Sequence, residues 1–241
     1  MMSRSELADI DLRDVYFPVS KLPESFEIAV IPVDKPRTWS SFDVIRHLRR
    51  VLNVRKMGHA GTLDPLATGL LIILIGRATK LMERFMELPK VYEGTMRLGE
   101  VTPTYDAEGE VTERRDVSGI TREDLLRARE QFIGTIQQEA PAYSAIKVDG
   151  ERLYKKARRG EKVRLPIRVV TIDAFELLDR DGRDVSFRVA CSKGTYIRSL
   201  AHEYGQALGV GAHLVALRRT AIGAFTVDEA WTPAQLEEAV A

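Results

Sequence analysis

The chain has 241 residues, 44% hydrophobic and 29% charged, with a formal net charge of +1. That is a globular composition long enough to bury a sizeable core, and its charge balance announces no polyanionic partner, so nucleic-acid binding would need a local Lys/Arg patch. A single cysteine, Cys191, excludes an internal disulfide and a cysteine-based zinc site, and no apolar run reaches the roughly 18 residues of a membrane span.

Residues 1–27 are weakly patterned and read as an N-terminal extension, without a signal-peptide core, so a cytoplasmic protein is expected. Ile28–Val33 reads as a first strand ending at the turn Asp34-Lys35-Pro36. Ser40 or Ser41 can cap a helix over about Asp43–Leu52, with Val44, Ile45, Leu48, Val51 and Leu52 on one face. Arg46, Arg49 and Arg50, with Arg55 and Lys56, make a basic cluster that is either a solvated face or a phosphate track. Then comes a loop, Lys56–Gly69, that sets one carboxylate, Asp64, among three glycines and a proline, beside the apolar run Leu70–Ile75. Glycine permits close backbone approach and proline fixes the chain after the carboxylate, so Asp64 is presented rather than mobile. On its own, a loop Asp is most often a turn or cap residue.

Leu70–Ile75 is expected to be a central strand, Ala78–Glu87 an amphipathic helix and Val91–Leu98 a strand. Thr102–Gly109 is a polar loop, and Thr121 with Asp124 reads as a capping box opening a helix to about Phe132. Gln138–Gly160 interleaves Tyr143 and Tyr154 with lysines and arginines, a pattern suited to bases and phosphates but also to a charged helix and turn. Ile167–Leu178 and Asp184–Cys191 form a hairpin around Asp181-Gly182, with Cys191 a buried strand thiol. A helix starts in Gly194–Leu200 and runs to about Leu208; His213–Thr220 leads into Ile222–Phe225, and Pro233–Val240 is a closing helix. Strands and helices mix without βαβ alternation, so the expected class is α+β, one domain with a mixed, largely antiparallel central sheet flanked by helices.

The run Gly58-His59-Ala60-Gly61-Thr62-Leu63-Asp64-Pro65-Leu66-Ala67-Thr68-Gly69-Leu70 resembles the signature of the TruB family of tRNA pseudouridine synthases. Asp34–Asp43, Lys90–Gly94 and Gly194–Leu200 resemble further motifs of that family in the same order. The resemblance implies a pseudouridine-synthase catalytic domain over residues 28–241 and isomerisation of uridine 55 in the T loop of tRNA. It implies that Asp64 is the catalytic nucleophile, that Arg198 pairs with it, and that Tyr92 stacks on the target uracil near the reacting base. It also implies that Tyr196 lines the pocket, that the Leu217 backbone contacts the flipped base, and that His59 takes the extruded base's place. About 16 residues follow Phe225, so a short form lacking the family's C-terminal PUA-type module is expected. The implied partner is the T arm of tRNA, with no guide RNA and no membrane, and the protein is expected to be a monomer.

His47, His59, His202 and His213 lack ligand spacing, and neither a P-loop nor a dinucleotide fingerprint is present, so no metal and no cofactor are expected. The reaction is redox-neutral. Two other classes stay open from the residues: a silent RNA-binding module, or a glycosidase-like hydrolase using Asp106 or Glu93 as a second acid.

Overall fold

A computed structural model describes residues 9–240 except 145, 149 and 162; the first eight residues of the expected extension thus lie outside the described residues. The chain divides into two compact units, one built from residues up to Tyr92 and from Arg218 onward, the other from Glu93–Leu217.

In the first unit, β1 (Ile28–Lys35) is followed by α1 (Ser41–Val51), β2 (Met57–Ala60) and β3 (Thr68–Gly76). A 3-10 turn at Arg77–Leu81, α2 (Met82–Glu87) and the start of β4 (Lys90–Leu98) come next. The Ser40 hydroxyl accepts the Asp43 amide at 3.1 Å and the Asp43 carboxylate accepts the Ser40 amide at 2.8 Å, a reciprocal cap that starts α1. β3 lies between two apolar layers, which explains its unbroken apolar run. Leu71 and Ile73 join Val44, Ile45 and Leu48 of α1, while Leu70, Ile72 and Leu74 join Phe85 and Phe225. β1 and β2 both pair antiparallel with β3.

The extension packs on this core. Val15 and Tyr16 are buried, the Phe17 amide donates to the Val30 carbonyl at 2.8 Å, and the Val19 amide to the Glu229 carbonyl at 2.8 Å.

The second unit holds the ribbon β5 (Glu100–Val101) with β6 (Glu113–Arg114), then α3 (Arg122–Glu130) and β7 (Gly134–Glu139). It continues with β8 (Lys147–Val148), β9 (Glu151–Arg152), α4 (Leu153–Arg158), β10 (Ile167–Asp181), β11 (Asp184–Cys191) and α5 (Ile197–Ala207). The last strand to begin here is β12 (Ala212–Ile222), and strand order is β12-β4-β11-β10-β7. The expected Thr121/Asp124 capping box, the β10–β11 hairpin and the buried Cys191 are all present. β7 was not expected: Gly134-Thr135-Ile136-Gln137-Gln138-Glu139 is polar, and its pairing with β10 rather than any apolar alternation makes it a strand. Ala145 and Asp149, inside the basic stretch noted above, lie outside the described residues.

Back in the first unit, β12 pairs parallel with β3 through Arg218–Thr68 and Arg219–Gly69. β13 (Phe225–Thr226) folds back on it, and α6 (Pro233–Ala239) closes the unit behind the Thr232 cap. The sheet is therefore mixed, with its described pairings antiparallel except β3–β12, as the α+β expectation had it.

Candidate active site

The Asp64 loop is gripped through its backbone. Its first residues are not loop but strand: Met57–Ala60 forms β2 on the edge of β3, so the loop proper begins at Gly61. The buried Ser41 hydroxyl accepts the Leu63 amide at 2.9 Å and donates to the Leu63 carbonyl at 3.1 Å. The Thr38 amide donates to the Pro65 carbonyl at 2.8 Å, and the Ala67 amide to the Asp64 carbonyl at 3.1 Å. Leu63, Leu66 and Ala67 are buried, which fixes the segment from below. Asp64 itself is half-buried.

Both ends of this loop converge on Arg219. Its Nη2 donates to the Gly61 carbonyl at 3.0 Å and its Nε to the Leu70 carbonyl at 2.7 Å, with the side chain 1% exposed. Gly69 (φ +99°) passes so close to β12 that a Cβ there would lie 2.3 Å from the Arg219 carbonyl oxygen. Only glycine fits that position.

His59 and Tyr92 belong to this same unit. His59 is half-buried on β2, and among the described residues its buried Nδ1 has no hydrogen-bond partner. Burial, reinforced by the nearby Arg219 charge, holds the imidazole below its ordinary range, so His59 is neutral at pH 7. Tyr92 is buried at 8% exposure on β4. Arg218 forks onto Asp34 at 2.7 and 3.0 Å, tying β12 to β1. Arg46, Arg49, Arg50, Arg55 and Lys56 are all exposed, and Arg49 also donates to the Met57 carbonyl at 3.2 Å.

Tyr196, Arg198 and Leu217 belong to the second unit. Gln138, 1% exposed, uses both ends of its amide on the Tyr196 backbone: Oε1 accepts the Tyr196 amide at 2.7 Å and Nε2 donates to its carbonyl at 3.1 Å. This sets the entry to α5, which starts at Ile197, later than the Gly194 motif suggested because Gly194 (φ +81°) is still in the preceding turn. Arg198 is buried. It donates to the Thr104 carbonyl at 3.0 Å and the Tyr143 carbonyl at 3.1 Å, and lies 3.2 Å from the Asp106 carboxylate. Asp106 is 1% exposed and also accepts the Thr104 hydroxyl at 2.6 Å and the Glu108 amide at 3.1 Å. That arrangement makes Asp106 a structural anion of the 102–109 loop rather than a solvent-facing acid. Glu93 is exposed. Leu217 is half-buried on β12.

Sequence reasoning passed over Arg219 and Gln138, and weighed Ser41 only as a helix cap and Asp106 only as a second acid. Arg219, Ser41 and Gln138 spend their hydrogen bonds on distant backbone, a role with no local pattern, while Asp106 accepts from its own loop and faces Arg198. For Arg219 one signal existed, a charge set inside a run that otherwise reads as an inward strand. Among the described residues no group of His, Cys, Asp or Glu side chains could hold a metal.

Two family models match consecutive parts of the chain. Residues 49–197 match the TruB family pseudouridylate synthase N-terminal domain, and residues 198–241 the tRNA pseudouridylate synthase B C-terminal domain. The tRNA pseudouridine synthase B of Parabacteroides distasonis is 46% identical over 215 residues, covering 87% of this chain and 92% of that protein. The protein of the same name from Opitutus terrae is 49% identical over 203 residues, covering 84% of each. Among solved structures, a chain of a Cbf5-Nop10-Gar1 complex superposes with a TM-score of 0.70 at 32% identity, covering 96% of this chain and 64% of that one. A chain of an H/ACA RNP bound to a substrate RNA containing 2'-deoxyuridine gives 0.68 at 31% identity, covering 95% of this chain and 59% of that one. With its signature loop built as described, and both family models matched end to end, the chain belongs to the TruB family of pseudouridylate synthases.

Proposed function

We propose that this enzyme converts uridine 55 in the T loop of tRNA to pseudouridine, with Asp64 as the nucleophile. The observation that carries the reading is the grip on the Asp64 loop: Ser41, Thr38 and Arg219 hold the backbone on either side of one half-buried carboxylate. Fixing a reacting group in this way removes the orientational cost of reaction. The relatives' shared name, tRNA pseudouridine synthase B, supports tRNA as substrate.

In the proposed reaction the C1′–N1 bond of uridine breaks with help from Asp64, the detached uracil turns, and C5 bonds to C1′. The C5 proton departs and N1 gains one, so composition and oxidation state are unchanged. Arg198 serves as the cationic partner of Asp64, because a planar guanidinium can pair bidentately with a carboxylate. The uridine leaves the T-loop stack, which costs a few kcal/mol. Tyr92 stacks on it, Tyr196 and the Leu217 backbone line the pocket, and neutral His59 fills the vacated place. The exposed arginines of α1 contact RNA phosphates.

The test is carbodiimide mapping of an unmodified tRNA transcript incubated with the wild-type protein or Asp64→Asn, without added cofactor or guide RNA. A single new stop reporting position 55 that the variant fails to produce supports the reading, with the variant's turnover reduced by at least about 1,000-fold. Release of free uracil would instead indicate a hydrolase, and tight binding without modification a silent RNA-binding protein.

A further inference from the structure

The signature loop contains Asp64, but the group that spans it comes from a strand far along the chain. We infer that Arg219 is a positioning residue for the Asp64 reaction: its guanidinium bridges the two ends of the loop and sets the carboxylate's place. The inference rests on the reading of Asp64 as nucleophile.

The geometry is specific. Nε and Nη2 of one planar guanidinium reach the Leu70 and Gly61 carbonyls at 2.7 and 3.0 Å, so the fork fixes the distance between the two loop ends. Gly61 (φ +89°) lies against the same group: a Cβ there would be 3.3 Å from Nη1. At the other end, the Arg219 backbone abuts Gly69 in the parallel pairing with β3. Side chain and main chain of one residue therefore contact both hinges of the loop.

The cost of this arrangement argues against an incidental role. Arg219 is 1% exposed, and among the described residues its hydrogen bonds go to carbonyl oxygens alone, without a carboxylate in ion-pair contact. A buried cation of this kind is expensive, and an apolar residue would fill the space more cheaply if packing were all that mattered. Its charge also reaches the loop's own chemistry, since it helps to keep His59 neutral. A neutral imidazole is the form suited to lying beside stacked bases.

The experiment compares single-turnover and steady-state kinetics on tRNA transcript for Arg219→Met, Arg219→Lys, Asp64→Asn and a core control, Phe85→Leu. Arg219→Met is expected to lower kcat by about 100-fold with KM changed less than threefold, because the loop is misplaced rather than the RNA lost. Arg219→Lys keeps the charge but cannot bridge two carbonyls, and is expected to recover only part of kcat. In Arg219→Met, NMR titration of His59 should move upward, and the Leu63 and Ala67 amides should exchange faster. Phe85→Leu should lose comparable thermal stability with kcat retained. A kcat for Arg219→Met equal to that of Phe85→Leu, or a loss carried entirely in KM, overturns the inference; if the Met variant does not unfold cooperatively, the same criteria apply to Arg219→Lys. An active Asp64→Asn would sink the nucleophile reading instead, and is scored separately.

Discussion

Each unit uses one buried arginine to hold a polar loop, and the two are solvated differently. Arg198 meets the Thr104 and Tyr143 carbonyls and the carboxylate of Asp106, so part of its charge is offset by the 102–109 loop. Among the described residues, Arg219 meets the Gly61 and Leu70 carbonyls. A carbonyl offers a partial dipole where a carboxylate offers a full charge, so the Arg219 site keeps positive potential that Asp106 offsets at Arg198. The two buried cations thus differ in counter-charge, not in burial.

The contrast can be broken from the balanced side first. Asp106→Ala removes a carboxylate buried against Arg198 and should cost about 3–5 kcal/mol in denaturant unfolding, the largest stability effect expected. Gly69→Ala attacks the other arginine through its backbone; the left-handed φ and the clash with the Arg219 carbonyl should together cost about 2–4 kcal/mol. The Arg219 and Asp64 variants described above should affect turnover more than stability.

pH then separates the two regions at smaller amplitude. On α5, beside Arg198, burial raises the Glu203 carboxyl to about 7, with Glu139 adding repulsion, and Tyr105 of the neighbouring loop, stacked on His202 at 3.8 Å, is raised mainly by burial and secondarily by both acids. The folded state therefore holds a proton that the unfolded chain has released, and stability falls as pH rises from about 4.5 to about 7. His59 has the opposite sign, shared by His202 on α5, which burial also holds down. A lowered imidazole pKa means that stability is lost as pH falls below 6.5. Glu203→Gln should flatten the loss on the alkaline side and raise Tm at pH 8 by a few degrees, about 1 kcal/mol after solvent screening of a partly exposed group. An unchanged Tm–pH profile in that variant would remove Glu203 from the account.

Much of this was readable in order. The Thr121–Asp124 capping box and the Asp181-Gly182 turn are local patterns that formed where residue chemistry put them, and of the two caps open at the first helix, Ser40 or Ser41, it is Ser40 that caps, reciprocally with Asp43. The long apolar run of β3 was readable because it is covered on both faces. β2 was hidden because its residues Met57-Gly58-His59-Ala60 carry no period of their own and become a strand by lying on β3. β7 was hidden for the same reason on β10. At the site, the carrying residue Asp64 was visible from its glycines and proline, while the groups that hold it were not. Ser41 and Arg219 act on carbonyls and amides, which every residue has, so nothing in the sequence marks their partners.

Pairing between β3 and Arg218-Arg219 has one more consequence, for the order in which the molecule can be made. The Leu70 carbonyl waits for a guanidinium 149 residues later, and the unit that contains both is closed by the segment from Arg218 onward. At ordinary synthesis rates that interval is roughly 7–30 s. Residues 93–217 are made during it, while the Asp64 loop lacks its Arg219 brace. On the ribosome, therefore, the Asp64 loop is tightened late, and a nascent chain stalled before Arg219 carries the full signature held by Ser41 and Thr38 but not clamped across its two ends.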